Sequence, residues 1–265
     1  MAVNTKSRYS CGGVVGVPKL VQEFNKFAND ALPKYRLGFK VEDGDGNVYR
    51  YAHFQAAITK PGYVVAQDFT NTSVADSNNI ILAPASCQNT NDCKAGSYFV
   101  ELTKATITEN QFAGGKFIIT DDTGEGYTYD IKRNTATGNP ASGNIRLELK
   151  QKLQVALDAT SDFCIIGNKY QDLVVATSDT DNILAGVSCG TMTADYYGWI
   201  QTRGICGIIE DDTTQIAIGD QACVSETAGT VEKIESAAAF QSCQVVGVCL
   251  VAGDDGGLGA YSIYL

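Results

Sequence analysis

The sequence predicts a mainly all-β protein: short-stranded barrel or sandwich-like domains, with one N-terminal amphipathic helix or arm. The clearest indication is the segment 196–250, where apolar or alternating runs at Trp199–Ile209, Gln215–Val224 and Val245–Val251 are separated by Asp, Gly, Thr and Ser. Short runs bounded by turn residues are typical of strands. The composition agrees, because 27 glycines against 5 prolines is globular and rich in turns.

The length of 265 residues fits one large β body or two smaller domains. A chain of this size buries roughly three quarters of its extended surface, so a sizeable core can form without metals or disulfides. It has no run of about 18 apolar residues, so no membrane span is predicted. The apolar patch within residues 1–17 is too weak for a signal peptide. Synthesis in a cytoplasm is therefore expected.

The net charge of −10 is unevenly distributed along the chain. Residues 1–35 carry five basic and two acidic side chains, whereas from Leu173 onward twelve acidic side chains are set against only Arg203 and Lys233. Such a surface repels phosphate backbones, so direct nucleic-acid binding by the β body is not expected. The acidic balance also favours solubility.

Residues 18–32 have the spacing of an amphipathic helix. Apolar side chains recur at positions 20, 21, 24, 27, 28, 31 and 32, Pro18 suits the first turn and Pro33 ends the pattern. A basic arm with such a helix packs either on a neighbouring molecule or as a cap on its own barrel, and both remain open. Residues 1–35 are therefore predicted to form an N-terminal arm and short helix.

Leu37–Tyr51 is predicted to be a β-hairpin, with two alternating runs around the turn Asp43–Asn47. A calcium loop would need glycine at its sixth position and glutamate at its twelfth, where this chain has Val48 and Phe54. Turn chemistry is the better interpretation of the acidic side chains. Residues 36–95 as a whole are predicted to be a β-hairpin segment that belongs to the main β body.

The remaining sequence is predicted to contain two further β regions. Residues 96–160 alternate through at least four strands with Gly- and Asp-rich turns, and are predicted to form an inserted β subdomain. Two more strands follow within 163–187. Residues 161–265 are predicted to form the main C-terminal β domain, with Trp199 in its core.

The chain has nine cysteines, an odd number, and none forms a Cys-x-x-Cys pair. Cys87 and Cys93 flank a polar loop and are the candidates for a local disulfide, if the protein meets an oxidising medium. Cysteines inside apolar runs are predicted to be buried thiols that act as small hydrophobic side chains. These are Cys164, Cys206, Cys223 and Cys249.

The sequence carries no catalytic, metal-binding or phosphate-binding motif. The single histidine, His53, lies in a predicted strand with no Gly-x-Ser-x-Gly elbow elsewhere, and a structural role is the better interpretation. Zinc ligation lacks paired cysteines, and a Gly-x-x-x-x-Gly-Lys-Ser/Thr loop is missing. The carboxylates at 210–212 fall in a predicted turn, where solvated side chains are expected rather than a glycosidase pair. Neither an enzymatic activity nor a cofactor is expected.

Three stretches of the chain carry a likeness to a known family. They are LGFKVEDGDGNVYRYAHF with ITKPGYVVA; then ATITENQFAGGKFIITDDTGEGYTYDIKRNT; and last YYGWIQTRGICGII with IAIGDQACVS, GTVEKI and VVGVCLVAG. Together they resemble head decoration (cement) proteins and related capsid-associated structural proteins of tailed bacteriophages. The likeness spans 37–265 and is one of strand-and-turn pattern, without an invariant signature. The chain is longer than the smallest members, so its middle block would be an extra β-domain.

The resemblance implies a β-rich, non-enzymatic protein, often a homotrimer, on the outer surface of the icosahedral head of the virion. There it would clamp neighbouring major capsid proteins against the pressure of packaged DNA. It would bind neither nucleic acid nor a membrane directly, and would be made in the host cytoplasm. The basic side chains of the N-terminal segment are then candidates for contact with the capsid lattice or an adjacent subunit. They are Lys6, Arg8, Lys19, Lys26 and Lys34.

A second hypothesis is a tail- or fibre-associated structural protein that binds a receptor or a carbohydrate. Exposed aromatic side chains at Tyr196, Tyr197 and Trp199 would favour it. Because alternation along a strand places Tyr197 and Trp199 on the same face, burial of one predicts burial of both.

Overall fold

The computed structural model describes residues 24–68, 73–75, 81–177, 182–212, 215–234, 243–254 and 256–265. Every regular element of more than one residue among them is a β-strand, which confirms the predicted all-β class. The described strands are β1 (Asn29–Asp30), β2 (Lys40–Glu42), β3 (Val48–Phe54), β4 (Val64–Asp68), β5 (Ser73–Ala75), β6 (Phe99–Thr103), β7 (Lys116–Asp121), β8 (Thr128–Asn134), β9 (Asn144–Leu149), β10 (Asp162–Ile166), β11 (Leu173–Val175), β12 (Asn182–Ser188), β13 (Tyr196–Ile209), β14 (Gln221–Val224), β15 (Val231–Lys233), β16 (Val245–Val251) and β17 (Leu258–Tyr264).

The chain divides into two compact units. The first unit combines Met1–Phe69 with Lys169–Leu265, and the second unit is the contiguous stretch Thr70–Asn168. The second unit is therefore wider than the inserted subdomain predicted at 96–160. The reason is long-range pairing: β5 pairs with β10, and β10 with β7, so strands from both sides of the predicted subdomain belong to its sheet.

A closed five-stranded barrel forms the centre of the first unit. Around the barrel the order is β13, β12, β4, β11 and β3, and β3 pairs back to β13. The closure includes one parallel contact, Leu173 opposite Phe54, while the other pairings are antiparallel. Beyond β13 the sheet continues through β17, β16, β14 and β15, and β2 extends it beyond β3.

Trp199 is buried, as predicted from the sequence, and it lies in an aromatic cluster. Its side chain is 2% exposed, and its ring lies 5.1 Å from the ring of Tyr51 and 4.9 Å from that of Phe24. Tyr35 adds a tilted contact at 5.4 Å. Edge-to-face contacts of this kind add to the free energy that burial of large rings already contributes.

The prediction of a helix at 18–32 is wrong for residues 24–32, which are the part of this range that the structure describes. Residues 18–23 lie outside the described residues, and 24–32 form a turn followed by β1. β1 pairs with β13, with Asn29 opposite Gly198. A side chain at Gly198 would place its Cβ 2.9 Å from the carbonyl oxygen of Ala28, so glycine permits this close approach. Tertiary pairing therefore overrides the helical spacing.

The second unit is a six-stranded antiparallel sheet in the order β5, β10, β7, β8, β9, β6. Buried side chains alternate along β9, where Ile145, Leu147 and Leu149 are buried. They belong to a core that also contains Phe117 and Phe163, whose rings are 5.6 Å apart. The second unit therefore has a hydrophobic core of its own.

The predicted hairpin is confirmed as β2 and β3, joined by the turn at 43–47. Asp43 Oδ1 accepts hydrogen bonds from the backbone N–H groups of Asp45 at 3.0 Å and Asn47 at 2.9 Å. Asn47 Nδ2 also donates to Asp43 Oδ2 at 2.9 Å. Although burial opposes it, these bonds hold the pKa of the Asp43 carboxyl below its usual value. The acidic residue organises the turn, as its sequence context predicted.

Glu210 and Asp211 are buried, so the expectation of solvated turn side chains is wrong for them. Each is 4% exposed. Tyr261 Oη donates to Glu210 Oε1 at 2.6 Å, the backbone N–H of Gly253 donates to the same oxygen at 3.0 Å, and Ser225 Oγ donates to Asp211 Oδ2. Buried carboxylates are tolerated because they receive hydrogen bonds. Here those bonds tie the end of β13 to β17 and β14.

We predict that Tyr261→Phe lowers the free energy of unfolding by about 1–3 kcal/mol, because Glu210 then stays buried with one donor fewer. Denaturant titration followed by Trp199 fluorescence measures the change. Tyr264→Phe on the same strand is the matched control, since Tyr264 is 82% exposed and its change is expected to stay within about 0.5 kcal/mol. Equal effects of the two substitutions would contradict the assignment.

Candidate binding surface

One side of the extended sheet in the first unit presents large apolar side chains to solvent. Directly paired residues of antiparallel strands project to the same side. Ile205 of β13 is opposite Ser262 of β17, which is opposite Val248 of β16. Neighbouring rows on this side contain Leu258, Tyr264 and Val251. We call the five side chains the apolar face: Ile205, Val248, Val251, Leu258 and Tyr264.

The alternation of β17 explains why this side is outward. Tyr261 and Ile263 are buried in the core of the first unit, so the residues between and beside them project the other way. Leu258, Ser262 and Tyr264 are accordingly exposed. The strand thus has apolar side chains on both sides, although only one side is covered by the core.

The exposure of the apolar face is large for residues of these types. Ile205 exposes 63%, Leu258 60% and Tyr264 82% of its surface. Single exposed apolar side chains are ordinary on a soluble protein. A contiguous group is different, because extended apolar patches mark binding surfaces in soluble proteins.

Little charge lies within the rows of the apolar face. Arg203 is their one ionisable side chain besides the Tyr264 phenol, and its guanidinium lies 5.5 Å from the centre of the Tyr264 ring. Farther along the sheet, Lys233 pairs with Asp220 at 2.9 Å. A partner docking on this face therefore desolvates few charges, in a protein whose net charge is −10.

A cavity of about 280 Å³ lies at the edge of the apolar face. Ile205 and Leu258 belong to both features. On its other sides the cavity is bounded by the turn at Pro61–Gly62, by the end of β12 and by the residues before β1. We call it the Lys26 cavity, and its lining comprises Lys26, Phe27, Pro61, Gly62, Val187, Ser188, Cys189, Gln201, Ile205, Cys206, Gly207 and Leu258.

Backbone hydrogen bonds hold the walls of the Lys26 cavity together. The N–H of Gly62 donates to the carbonyl of Ser188 at 3.0 Å, and the N–H of Ile209 donates to the carbonyl of Gly62 at 3.2 Å. The turn before β1 is closed by Asn25, whose side chain accepts from the N–H of Phe27 at 3.0 Å. The backbone segments that carry the lining residues are therefore fixed by hydrogen bonds.

Lys26 places a positive charge at this cavity. Its Nζ lies 5.2 Å from the ring centre of Phe27 and 5.7 Å from that of Tyr49, which are cation–π distances. Among the described residues no carboxylate is within ion-pair distance of Lys26. The ammonium group is thus held by aromatic rings and remains available to an anion.

The two thiols of the Lys26 cavity are poor nucleophiles. Burial raises the pKa of Cys189 to about 12 and that of Cys206 to about 12, against an ordinary value of 9.0, although Lys26 opposes the shift. Near neutral pH both are protonated, and the thiol form reacts slowly. Cys206, which was predicted to be a buried thiol, is half-buried and packs against the core of the first unit.

The five basic residues predicted to contact a capsid are found in three different situations. Lys6, Arg8 and Lys19 lie outside the described residues. Lys34 forms an ion pair with Asp30 at 2.5 Å. Lys26 lines the cavity, and of the two described residues it is the one without a carboxylate partner.

Cys87 and Cys93, the predicted disulfide pair, are adjacent free thiols in the second unit. Their sulfur atoms lie 3.6 Å apart, beyond the bond length of about 2.05 Å. Both side chains are buried, and burial raises the pKa of each thiol. The structure brings the pair together, and the disulfide itself stays a prediction.

His53 has a carboxylate partner that the sequence did not reveal. Its Nδ1 lies 2.8 Å from Asp172 Oδ1, and its ring is 4.8 Å from that of Tyr197. Both residues lie in the first unit, where the contact links β3 to the residues before β11.

Across the described residues no group of three or more His, Cys, Asp or Glu side chains is placed to hold a metal ion. No helix that could span a membrane occurs in the described part of the chain.

Comparison with known protein families, with curated proteins and with solved structures finds no match to this chain.

The apolar face was not predicted from the sequence, although the sequence contains one signal of it. Val245–Val251 is apolar without interruption except for Gly247. In an antiparallel sheet with one solvated side, polar residues normally alternate with apolar ones. An uninterrupted apolar strand therefore indicates that both sides are to be covered, one of them by something other than the core.

We predict that the stability contributed by the neutral thiols Cys189 and Cys206 is fully present below pH 9.0 and is lost as pH rises through about 12. The reason is that their folded pKa is raised, so the unfolded state loses protons first. The free energy of unfolding of the wild type should decline more steeply over this range than that of the Cys189→Ala/Cys206→Ala variant. Denaturant titrations at stepwise pH measure both curves, and parallel curves would refute the assignment.

Proposed function

We propose that the chain is a non-enzymatic virion structural protein that decorates the outer surface of a tailed-phage head by binding the major capsid protein lattice. The observation that carries the proposal is the apolar face, a contiguous exposed surface on the larger of the two sheets in the described part of the chain. The resemblance of 37–265 to head decoration proteins supplies the partner. An acidic chain of net charge −10 also fits a position away from the packaged DNA.

We further propose that the protein acts as a homo-oligomer, a trimer. Burying one fully exposed side chain of this kind contributes about 1.5–3 kcal/mol, so the five side chains of the apolar face, which are already partly buried, contribute at most about 7–15 kcal/mol. Association costs about 4–15 kcal/mol, which is of the same size. One apolar face therefore supports only weak binding. Several faces joined in one oligomer bind a repeating lattice with much higher avidity, because each later contact is intramolecular.

The alternative, a tail- or fibre-associated receptor-binding protein, finds less support. It depends on exposed aromatic side chains at 196–199, whereas Trp199 is buried and Tyr197 is half-buried, its ring stacked at 6.1 Å on that of Tyr51. Carbohydrates bind on exposed aromatic platforms, which this cluster does not offer.

The location of the protein on the particle tests the proposed function. We expect mass spectrometry of separated heads and tails, from particles of the host that produces this chain, to find it in the head fraction. Sedimentation of the purified protein should give the mass of a trimer. Recovery from tails alone would favour the receptor-binding alternative, and absence from particles would contradict both.

Charge substitutions on the apolar face test the surface itself. We predict that Val248→Asp and Val251→Asp each weaken co-sedimentation with undecorated heads about tenfold or more, because these side chains do not line the Lys26 cavity and docking would then bury a charge without a partner. Tyr127→Asp is the matched control, since Tyr127 is a 41% exposed aromatic residue of the second unit. Fluorescence of Trp199 checks that each variant is folded. Unchanged binding of both face variants would refute the assignment of this surface.

A further inference from the structure

The Lys26 cavity has the size of a socket for one side chain. Pockets that hold drug-sized ligands measure about 300–1,000 Å³, and this cavity measures about 280 Å³. A single large apolar side chain fits a space of this size with room for part of its backbone. Anchor side chains of this kind commonly contribute much of the binding energy at protein interfaces.

The lining of the cavity combines apolar residues with Lys26 and polar residues such as Ser188 and Gln201. Ile205, Leu258, Val187, Pro61 and Phe27 contribute apolar surface. Phe27 is 62% exposed and therefore stands at the entrance. An apolar side chain that enters would exchange water for these groups, which is favourable in proportion to the area removed from water.

Lys26 adds a charge requirement to this apolar site. Its ammonium group lies over two aromatic rings and has no carboxylate partner among the described residues. A second cation at the cavity would be repelled, whereas a carboxylate would gain a charge-assisted hydrogen bond. Because the site is partly shielded from solvent, that interaction is screened less than one on an open surface.

The cavity and the apolar face are continuous through Ile205 and Leu258. A chain segment that covers the face therefore passes the entrance of the cavity. The volume of the cavity and the ammonium group of Lys26 are independent features, and together they favour one kind of ligand.

We propose that the Lys26 cavity receives a large apolar side chain from the partner protein, and that Lys26 binds an Asp or Glu carboxylate beside that side chain on the same segment. This proposal rests on the proposed function only in placing a partner on the adjoining face. It identifies the recognised chemistry as an apolar anchor next to an acid.

The test uses the isolated full-length protein and three small probes: N-acetyl-Leu-Asp-amide, N-acetyl-Leu-Asn-amide and N-acetyl-Ala-Asp-amide. Amide chemical shifts of Gly62, Ser188 and Gly207 report occupancy of the cavity. At low salt we expect the Leu-Asp probe to bind about fivefold more tightly than Leu-Asn, the size of a modest ion pair. Leu-Asp should also bind more tightly than Ala-Asp, because the smaller side chain leaves the socket partly empty.

Substitution of the lysine separates recognition from non-specific attraction. Lys26→Met should abolish the preference for Leu-Asp over Leu-Asn while leaving Leu-Asn binding unchanged. Lys60→Met is the matched control, since Lys60 is exposed beside Pro61 and does not line the cavity. Absence of shifts at the three reporter amides, or an equal preference in wild type and Lys26→Met, would overturn the proposal.

A second measurement links the cavity to the particle. In co-sedimentation with undecorated heads at low salt, Lys26→Glu should reduce affinity about tenfold, and Lys60→Glu much less. If heads bind Lys26→Glu as well as wild type, the cavity is not part of that interface and the proposal fails, although the proposed function stands. If the probes bind as expected and heads bind no version of the protein, the proposed function fails and the recognition chemistry of the cavity stands.

Discussion

The two-sided pairing of β13 is the constraint on which the first unit depends. Its first half pairs with β3 and closes the barrel, and its second half pairs with β17 and starts the outer sheet. The change of partner occurs at a bulge between Gln201 and Arg203. Gln201 Nε2 spans it by donating to the carbonyls of Arg203 at 3.1 Å and Ile205 at 3.0 Å. Gly204 follows with φ +97°, where a Cβ would lie 2.1 Å from Asn47 Oδ1, so the bend requires glycine.

The binding surface is a consequence of this bend. A barrel has an inside filled by side chains, and strands that leave the barrel wall must cover their apolar residues in some other way. β16 and β17 bury one side against the core around Tyr261 and Cys249. Their other side remains apolar and open, and the Lys26 cavity lies where the outer sheet meets the residues preceding β1. The cavity and the exposed apolar side chains therefore lie next to each other on the first unit.

The sequence predicted the features that depend on neighbouring residues. The Asp43 turn and the β2–β3 hairpin follow from local turn chemistry, and the burial of Trp199 follows from its place in an apolar strand. Features set by distant partners were not predictable. Glu210 is buried because Tyr261, 51 residues away, donates to it. The second unit extends to 70–168 because β5 pairs with β10. The cavity brings Lys26 together with Leu258. These residues are too far apart in the sequence for any local pattern to link them.

The contiguity of the second unit has a consequence for the order of folding during synthesis. Its strands all lie within Thr70–Asn168, whereas the barrel of the first unit needs β3 and β4 from before that stretch and β11, β12 and β13 from after it. During synthesis, all strands of the second unit therefore leave the ribosome while the barrel still lacks three of its five strands. The inserted unit can complete its core first, whereas β4 and β3, which has only its hairpin partner β2, must wait for the later barrel strands to emerge.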